Sequence, residues 1–161
     1  MRVKDIVVED FCNYKVPAMF IISSVCDWKC CTELGLDIGI CQNQPISQQP
    51  TKDISNEVIF DHYVSNPITK AIVVGGLEPM LQINELVDLI RYFRDHGNND
   101  PFVIYTGYYP EEIPGHVERV CNMGVVIKYG RYIPGHRPHY DDVLGVELAS
   151  DNQYAVSYLT T

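Results

Sequence analysis

The sequence predicts an α/β domain built on a mainly parallel sheet, and three observations predict it. Short apolar runs that read as buried strands alternate with stretches of helical period, the pattern of strand–helix–strand units with right-handed crossovers. Cys26, Gly75, Thr106 and Gly130 each fall just past the end of such a run. Ligands of parallel sheets gather at the carboxyl ends of the strands, so these positions are expected to share one site. A length of 161 residues, 46 % apolar and 20 % charged, is expected to make one domain, 1–161, with a real core.

The elements follow in chain order. Ala18 to Val25 (AMFIISSV) is an apolar run that stops at the first of a group of cysteines and reads as a buried strand. Residues 42–55, rich in Gln, Pro and Ser, read as loop. Asn56 to Ser65 reads as a helix stopped at Asn66-Pro67, because proline disfavours helix in the residue before it. Ala71 to Val74 is a second strand. Leu86, Leu89, Ile90 and Phe93 keep the i, i+3, i+4, i+7 spacing of an amphipathic helix, which Asn84 is placed to cap and Gly97 to end. Phe102 to Tyr105 is a third strand, Glu111 to Cys121 a helix, and Val125 to Tyr129 a fourth strand.

Charge and hydropathy narrow the function classes. The formal net charge is −9, which repels phosphate backbones and argues against a nucleic-acid partner. Charges interrupt the first ten residues before a signal-peptide core can form, and no apolar run reaches membrane-spanning length. The expected location is the cytoplasm, where thiols stay reduced. Four of the six cysteines, Cys26, Cys30, Cys31 and Cys41, lie in one short stretch. In a reducing compartment that clustering points to a metal or redox site rather than to disulfides.

Cys26-Asp-Trp-Lys-Cys30 followed by Cys41 offers thiolates from a loop just after a strand, as iron–sulfur clusters require. The cysteines alone leave a structural zinc site and unligated thiols open as well. Trp28 is placed either to shield a cluster or to anchor the loop. Gly75-Gly76-Leu77-Glu78-Pro79 after the second strand permits close backbone approach to a ligand, with Glu78 suited to an amino group; it also suits a plain strand-to-helix turn. Neither a phosphate loop nor a dinucleotide fingerprint is present. Cys12 and Cys121 read as small buried residues, and His136 and His139 as part of a solvated loop rather than metal ligands.

A strand, cysteines beginning C-x3-C and then Gly-Gly-x-Glu-Pro after the next strand resemble the radical S-adenosylmethionine superfamily. Tyr105-Thr-Gly-Tyr108 with Glu111-Glu112, Gly130-Arg131-Tyr132, and Ser150-Asp-Asn152-Gln153 resemble segments of the activating proteins of anaerobic ribonucleotide reductase. The resemblance runs from Asp10 to Tyr154 and is specific in the order of its segments. It implies an open partial (β/α) barrel, a 4Fe–4S cluster and S-adenosylmethionine as cofactor. Cys41-Gln42-Asn43 matches the end of the family's cysteine motif, so Cys26, Cys30 and Cys41 are the implied ligands and Cys31 a bystander. The implied cofactor contacts are Ile40 on the adenine, Asn43, Gly75, Gly76 and Glu78 on the amino group, Thr106, and Lys128 on the methionine carboxylate. Two departures stand out: ten residues separate Cys30 from Cys41, and Leu77 is inserted in the glycine segment. No catalytic residue beyond cluster and cofactor ligands is implied. The implied partners are the large subunit of anaerobic ribonucleotide reductase, as protein substrate, and an electron donor such as flavodoxin or ferredoxin. Two rivals remain: a radical S-adenosylmethionine enzyme with another substrate, and a non-catalytic zinc or iron–sulfur module that binds a partner.

Overall fold

The computed structural model describes residues 1–159 of the chain. In chain order the strands are β1 (Arg2–Asp10), β2 (Ala18–Ser23), β3 (Lys52–Asp53), β4 (Ala71–Gly75), β5 (Phe102–Tyr105), β6 (Val125–Tyr129), β7 (His139–Asp141), β8 (Val146–Leu148) and β9 (Tyr154–Ser157). The helices are α1 (Lys29–Thr32), α2 (Gln44–Ser47), α3 (Asn56–Ser65), α4 (Ile83–Asp95) and α5 (Pro114–Val120). Seven strands form one sheet in the order β3-β1-β2-β4-β5-β6-β9, and β7 and β8 pair separately.

This architecture corrects the expected fold class. The sheet is mixed: β2, β4, β5 and β6 run parallel, but β1 is antiparallel to β2 and β3, and β9 is antiparallel to β6. It is not a mainly parallel partial (β/α) barrel ringed by helices. The reason lies in the connections. Only residues 11–17 join β1 to β2, too few for a crossover, so the chain can only turn back. Between β6 and β9 stands the β7–β8 hairpin where a further parallel strand would need a helix.

Side chains alternate between the two faces of the sheet, as strand geometry requires. Ile72 and Val74 of β4, Phe102 and Ile104 of β5, and Val125 and Ile127 of β6 meet the helices, packing with Ile59 and Tyr63 of α3 and with Leu86, Leu89, Ile90 and Phe93 of α4. The intervening Ala71, Val73, Val103 and Val126 face the other way, against Tyr14, Leu144 and Leu148. The Asp141 carboxylate fastens that second cover by accepting from the Leu144 and Ala155 amides, both at 2.9 Å.

The helix ends show what local chemistry decides. Ser55 caps α3, its hydroxyl accepting from the Val58 amide at 3.3 Å. Gly97, at φ 78°, ends α4, with the amides of Gly97 and Asn98 closing onto the carbonyls of Arg94 and Phe93. Asn84 does not cap α4. That helix continues directly from a 3-10 turn, Pro79–Gln82, whose cap is Glu78. The helix expected over Glu111–Cys121 splits into a 3-10 turn, Pro110–Glu112, and α5, which Pro114 opens. Among the described residues no helix is long and apolar enough to cross a membrane.

Candidate functional site

The loop after β2 is shaped by its own backbone and by neighbours. The Glu78 amide donates to the Val25 carbonyl at 2.8 Å, tying the end of β2 to the loop after β4. Asp27 accepts from the Lys29 amide at 3.2 Å, a local turn that leads into α1. Trp28 takes the left-handed conformation at φ 60° and ψ 22°, unusual for a residue with a Cβ. Its amide then lies 3.4 Å from Cys26 Sγ, and its carbonyl accepts from the amides of Cys31 and Thr32. Farther along, Asp37 caps the 3-10 turn Ile38–Ile40 through the Gly39 amide at 2.7 Å, and Cys41 follows.

An open cavity of about 720 Å³ lies at this end of the sheet. Cys26, Cys30, Cys31 and Cys41 line it; so do Gly76, Glu78, Thr106 and Lys128 from the strand ends, and Ile40 and Asn43 from the segment between Cys30 and α2. Of the residues expected at the site, Gly75 differs in setting. It closes β4, and a Cβ there would stand 2.9 Å from Tyr105 Cβ, so its smallness serves strand packing. Gly76 has both reasons to be glycine: φ is 79°, and a Cβ would meet Ile22 Cγ2 at 2.7 Å.

Cys31 is not remote from the site: it is buried on the cavity wall beside Cys30. Cys12 and Cys121 correct the expectation of small buried residues. Cys12 is exposed at the cavity, and Cys121 is half-buried. Nothing in the sequence signals the first placement, because the β1–β2 turn that carries Cys12 was not legible as such. His136 contacts Asp151 at 2.7 Å, and His139, which begins β7 rather than lying in a loop, contacts the Gln153 carbonyl at 2.7 Å, so both tie their segment to the turn before β9.

Burial governs the electrostatics of the thiols. Burial pushes the Cys26 thiol up to about 12, with the charges of Glu78, Cys30 and Asp27 adding to it and the Trp28 amide opposing. Burial likewise raises Cys30 to about 11, helped by Cys31 and Cys41. Metal-free, these thiols stay protonated near neutral pH, and metal binding must release their protons. Among the described residues no three His, Cys, Asp or Glu side chains gather tightly enough to grip a single ion. Cys30 lies close enough to Cys26, Cys31 and Cys41 for their charges to act on one another, and all four line the cavity, so the thiols present suit an iron–sulfur cluster.

Glu78 is buried, and three donors hold its carboxylate: the Met80 amide at 2.9 Å and Thr106 Oγ1 at 2.8 Å on one oxygen, the Gly107 amide at 2.9 Å on the other. Burial raises its pKa to about 7 against those three hydrogen bonds. About four acceptor sites belong to a carboxylate, so capacity for one further donor remains. Lys128 is also buried; its ammonium donates to the Gly130 carbonyl at 2.8 Å and has two more N–H groups to give. Desolvation lowers its pKa to about 8, opposed by Glu78 and Cys30.

The remaining segments singled out in the sequence brace this arrangement. Tyr108 donates its hydroxyl to Asp27. Glu112 bridges Lys29 at 2.6 Å and Arg131 at 2.5 Å, and Arg131 Nε stands 2.8 Å from Glu33. Asn152 holds the Arg131 carbonyl at 2.7 Å and the Tyr109 hydroxyl at 2.9 Å, while Gln153 Nε2 donates to the Gly130 carbonyl at 3.3 Å. The sequence marks these residues as motif members; their bracing role requires the fold.

A family model described as a 4Fe-4S single cluster domain matches residues 20–149, a span that includes every cysteine of the cavity wall except Cys12. No curated protein and no solved structure matches the chain. With thiols lining a cavity and a match over most of its length, the chain belongs to the 4Fe-4S single cluster domain family.

Proposed function

We propose that this chain is a radical S-adenosylmethionine enzyme that installs a glycyl radical on an anaerobic ribonucleotide reductase. The observation that carries the reading is a single cavity lined by Cys26, Cys30 and Cys41 together with Gly76, Glu78, Thr106 and Lys128. Three protein thiolates leave one iron of a four-iron cluster free for a small-molecule ligand. Cys26, Cys30 and Cys41 would hold the cluster, which would supply the electron for reductive cleavage of S-adenosylmethionine to methionine and a 5′-deoxyadenosyl radical.

The chain's own residues bind and orient. Glu78 offers its remaining acceptor capacity to the amino group, and a cationic partner there keeps the carboxylate ionised despite its burial. Lys128 offers its unused donors to the methionine carboxylate, which in turn favours the charged ammonium. Gly76 lets the backbone approach the ligand without a Cβ. Thr106 fixes Glu78, and Ile40 and Asn43 supply the wall toward the nucleoside. The reductase as protein substrate rests on the motif resemblance in Tyr105–Tyr108, Glu111–Glu112, Gly130–Tyr132 and Ser150–Gln153. An electron donor of the flavodoxin or ferredoxin kind is part of the same reading. A reducing, cytoplasmic setting, in which thiols stay free, is part of the same reading.

The test is anaerobic incubation of reconstituted protein with reductant, S-adenosylmethionine and the reductase from the same source. The expected result is 5′-deoxyadenosine together with a glycyl-radical doublet in electron paramagnetic resonance on the reductase. Cleavage without that doublet would transfer the reading to another substrate. An intact cluster with no cleavage would leave a non-catalytic module.

A further inference from the structure

The turn between Cys26 and Cys30 is braced from outside by one segment, residues 106–112. Tyr108 donates its hydroxyl to one oxygen of Asp27, while the other oxygen of Asp27 accepts from the Lys29 amide at 3.2 Å. Glu112 takes the Lys29 ammonium at 2.6 Å, and that ammonium also lies 5.2 Å from the Tyr108 ring centre. Tyr108 is itself fixed: its amide donates to Thr106 Oγ1 at 3.1 Å and its carbonyl accepts from the Gly130 amide at 3.1 Å.

Between these braces Trp28 is bent into the left-handed region, a conformation that a residue with a Cβ adopts only when its surroundings impose it. The bend sets the Trp28 amide 3.4 Å from Cys26 Sγ. Hydrogen bonds to ligand sulfur are among the protein's levers on the potential of an iron–sulfur cluster, because they stabilise the more negative reduced state. Glu112 is shared with Arg131, but the Tyr108 hydroxyl serves Asp27. Tyr108 is therefore the brace that can be removed without disturbing the rest.

We propose that Tyr108, acting through Asp27, is a positioning residue that holds the Trp28 amide on the Cys26 sulfur and so raises the reduction potential of the cluster. The proposal rests on Cys26 being a cluster ligand.

The test compares Tyr108→Phe with the unaltered full chain in two readouts. In the metal-free protein, exchange of the Trp28 amide proton is followed by nuclear magnetic resonance. In the reconstituted protein, the cluster's midpoint potential is titrated under electron paramagnetic resonance. Tyr63→Phe, which removes a hydroxyl bound to Asp100, controls for general loosening. Tyr108→Phe is expected to speed exchange of that amide about tenfold, as the loss of a hydrogen bond to a charged group allows. It should also make reduction less favourable by up to about tenfold, ~59 mV for one electron, with the iron content unchanged. Tyr63→Phe should move neither readout. An unchanged amide and an unchanged potential overturn the proposal, as does an equal shift from Tyr63→Phe. If Tyr108→Phe assembles no cluster, faster exchange in the metal-free protein upholds the positioning role and unchanged exchange ends it. Cys26→Ala separates the two levels. Four irons retained in that variant would remove the ligand reading and the proposal with it, whereas their loss beside a null result for Tyr108→Phe sinks the positioning role alone.

Discussion

The two faces of the sheet are built to different ends. On one, α3, α4 and α5 close over an apolar layer in which Phe93 meets Phe60 and Phe102 edge to face. On the other, Tyr14 and the β7–β8 hairpin cover part of the sheet, and the strand ends open into a cavity with thiols, a buried carboxylate and a buried ammonium. The first face supplies hydrophobic stabilisation. The second accepts buried polar groups that a core would reject unless each had a partner. Stability and chemistry are thus segregated across one layer of strands, and substitutions on the two faces should have separable effects.

The largest expected effect tests that segregation directly. Phe93→Ala removes a fully buried ring and should cost ~3–5 kcal/mol in denaturant unfolding of the metal-free protein, while folded molecules still take up iron. Cys26→Ala should cost less than ~1 kcal/mol in the same unfolding experiment yet abolish the cluster, measured as iron content. Equal destabilisation by the two would end the division of labour.

Gly76 stands where the faces meet, at the joint between β4 and the cavity. Gly76→Ala combines a left-handed backbone, ~1–2 kcal/mol, with overpacking against Ile22, ~1–3 kcal/mol, so roughly 2–5 kcal/mol of stability should be lost by thermal or denaturant unfolding.

Glu78 sharpens the comparison from the cavity side. Glu78→Ala should keep the cluster but weaken S-adenosylmethionine binding by ~1.5–3 kcal/mol, roughly ten- to hundredfold, read by titration of the reduced cluster. Its pKa also leaves a trace in the metal-free protein. The folded state holds the Glu78 proton up to about 7 while the unfolded chain releases it near 4.5, so the folded state binds more protons in that window. Stability should therefore fall as pH rises from 4.5 to 7, and Glu78→Gln should flatten that slope.

The smallest effect belongs to the brace. Arg131, then Lys29 and the Tyr109 amide, hold Glu112 down to about 2 against the opposing cost of burial. The resulting stability is present above the ordinary carboxylate range near 4.5 and lost as pH falls toward 2. Because the Glu112 side chain remains partly exposed, Glu112→Gln should cost no more than ~1 kcal/mol at pH 6, and its difference from the unaltered chain should shrink at pH 3. A difference that grows with acid would contradict the sign.

What the sequence made legible follows from range. The runs at Ala71 and Phe102, and that at Val125 apart from Lys128, are apolar because both faces of those central strands are covered, and the spacing of Leu86, Leu89, Ile90 and Phe93 marks a helix with one buried face. β1 was illegible because its pairing with β2 shifts register at two places, leaving Val7 and Val8 exposed side by side. Without β1, β9 and the hairpin, the central strands read as a mainly parallel sheet. The cysteines and the glycine segment were visible as chemistry. The brace was not, since Asp27 and Tyr108 lie 81 positions apart and only folding brings them together.

The most direct measurement is made on Cys31→Ala and Cys41→Ala, reconstituted anaerobically side by side and assayed for iron and for 5′-deoxyadenosine released from S-adenosylmethionine. Both cysteines line the cavity, so geometry alone does not choose between them. With Cys26, Cys30 and Cys41 as the ligands, Cys31→Ala keeps four irons and cleaves the cofactor, and Cys41→Ala does neither. A Cys41→Ala protein that retains the cluster and cleaves S-adenosylmethionine, beside a Cys31→Ala protein that loses both, would contradict the ligand set.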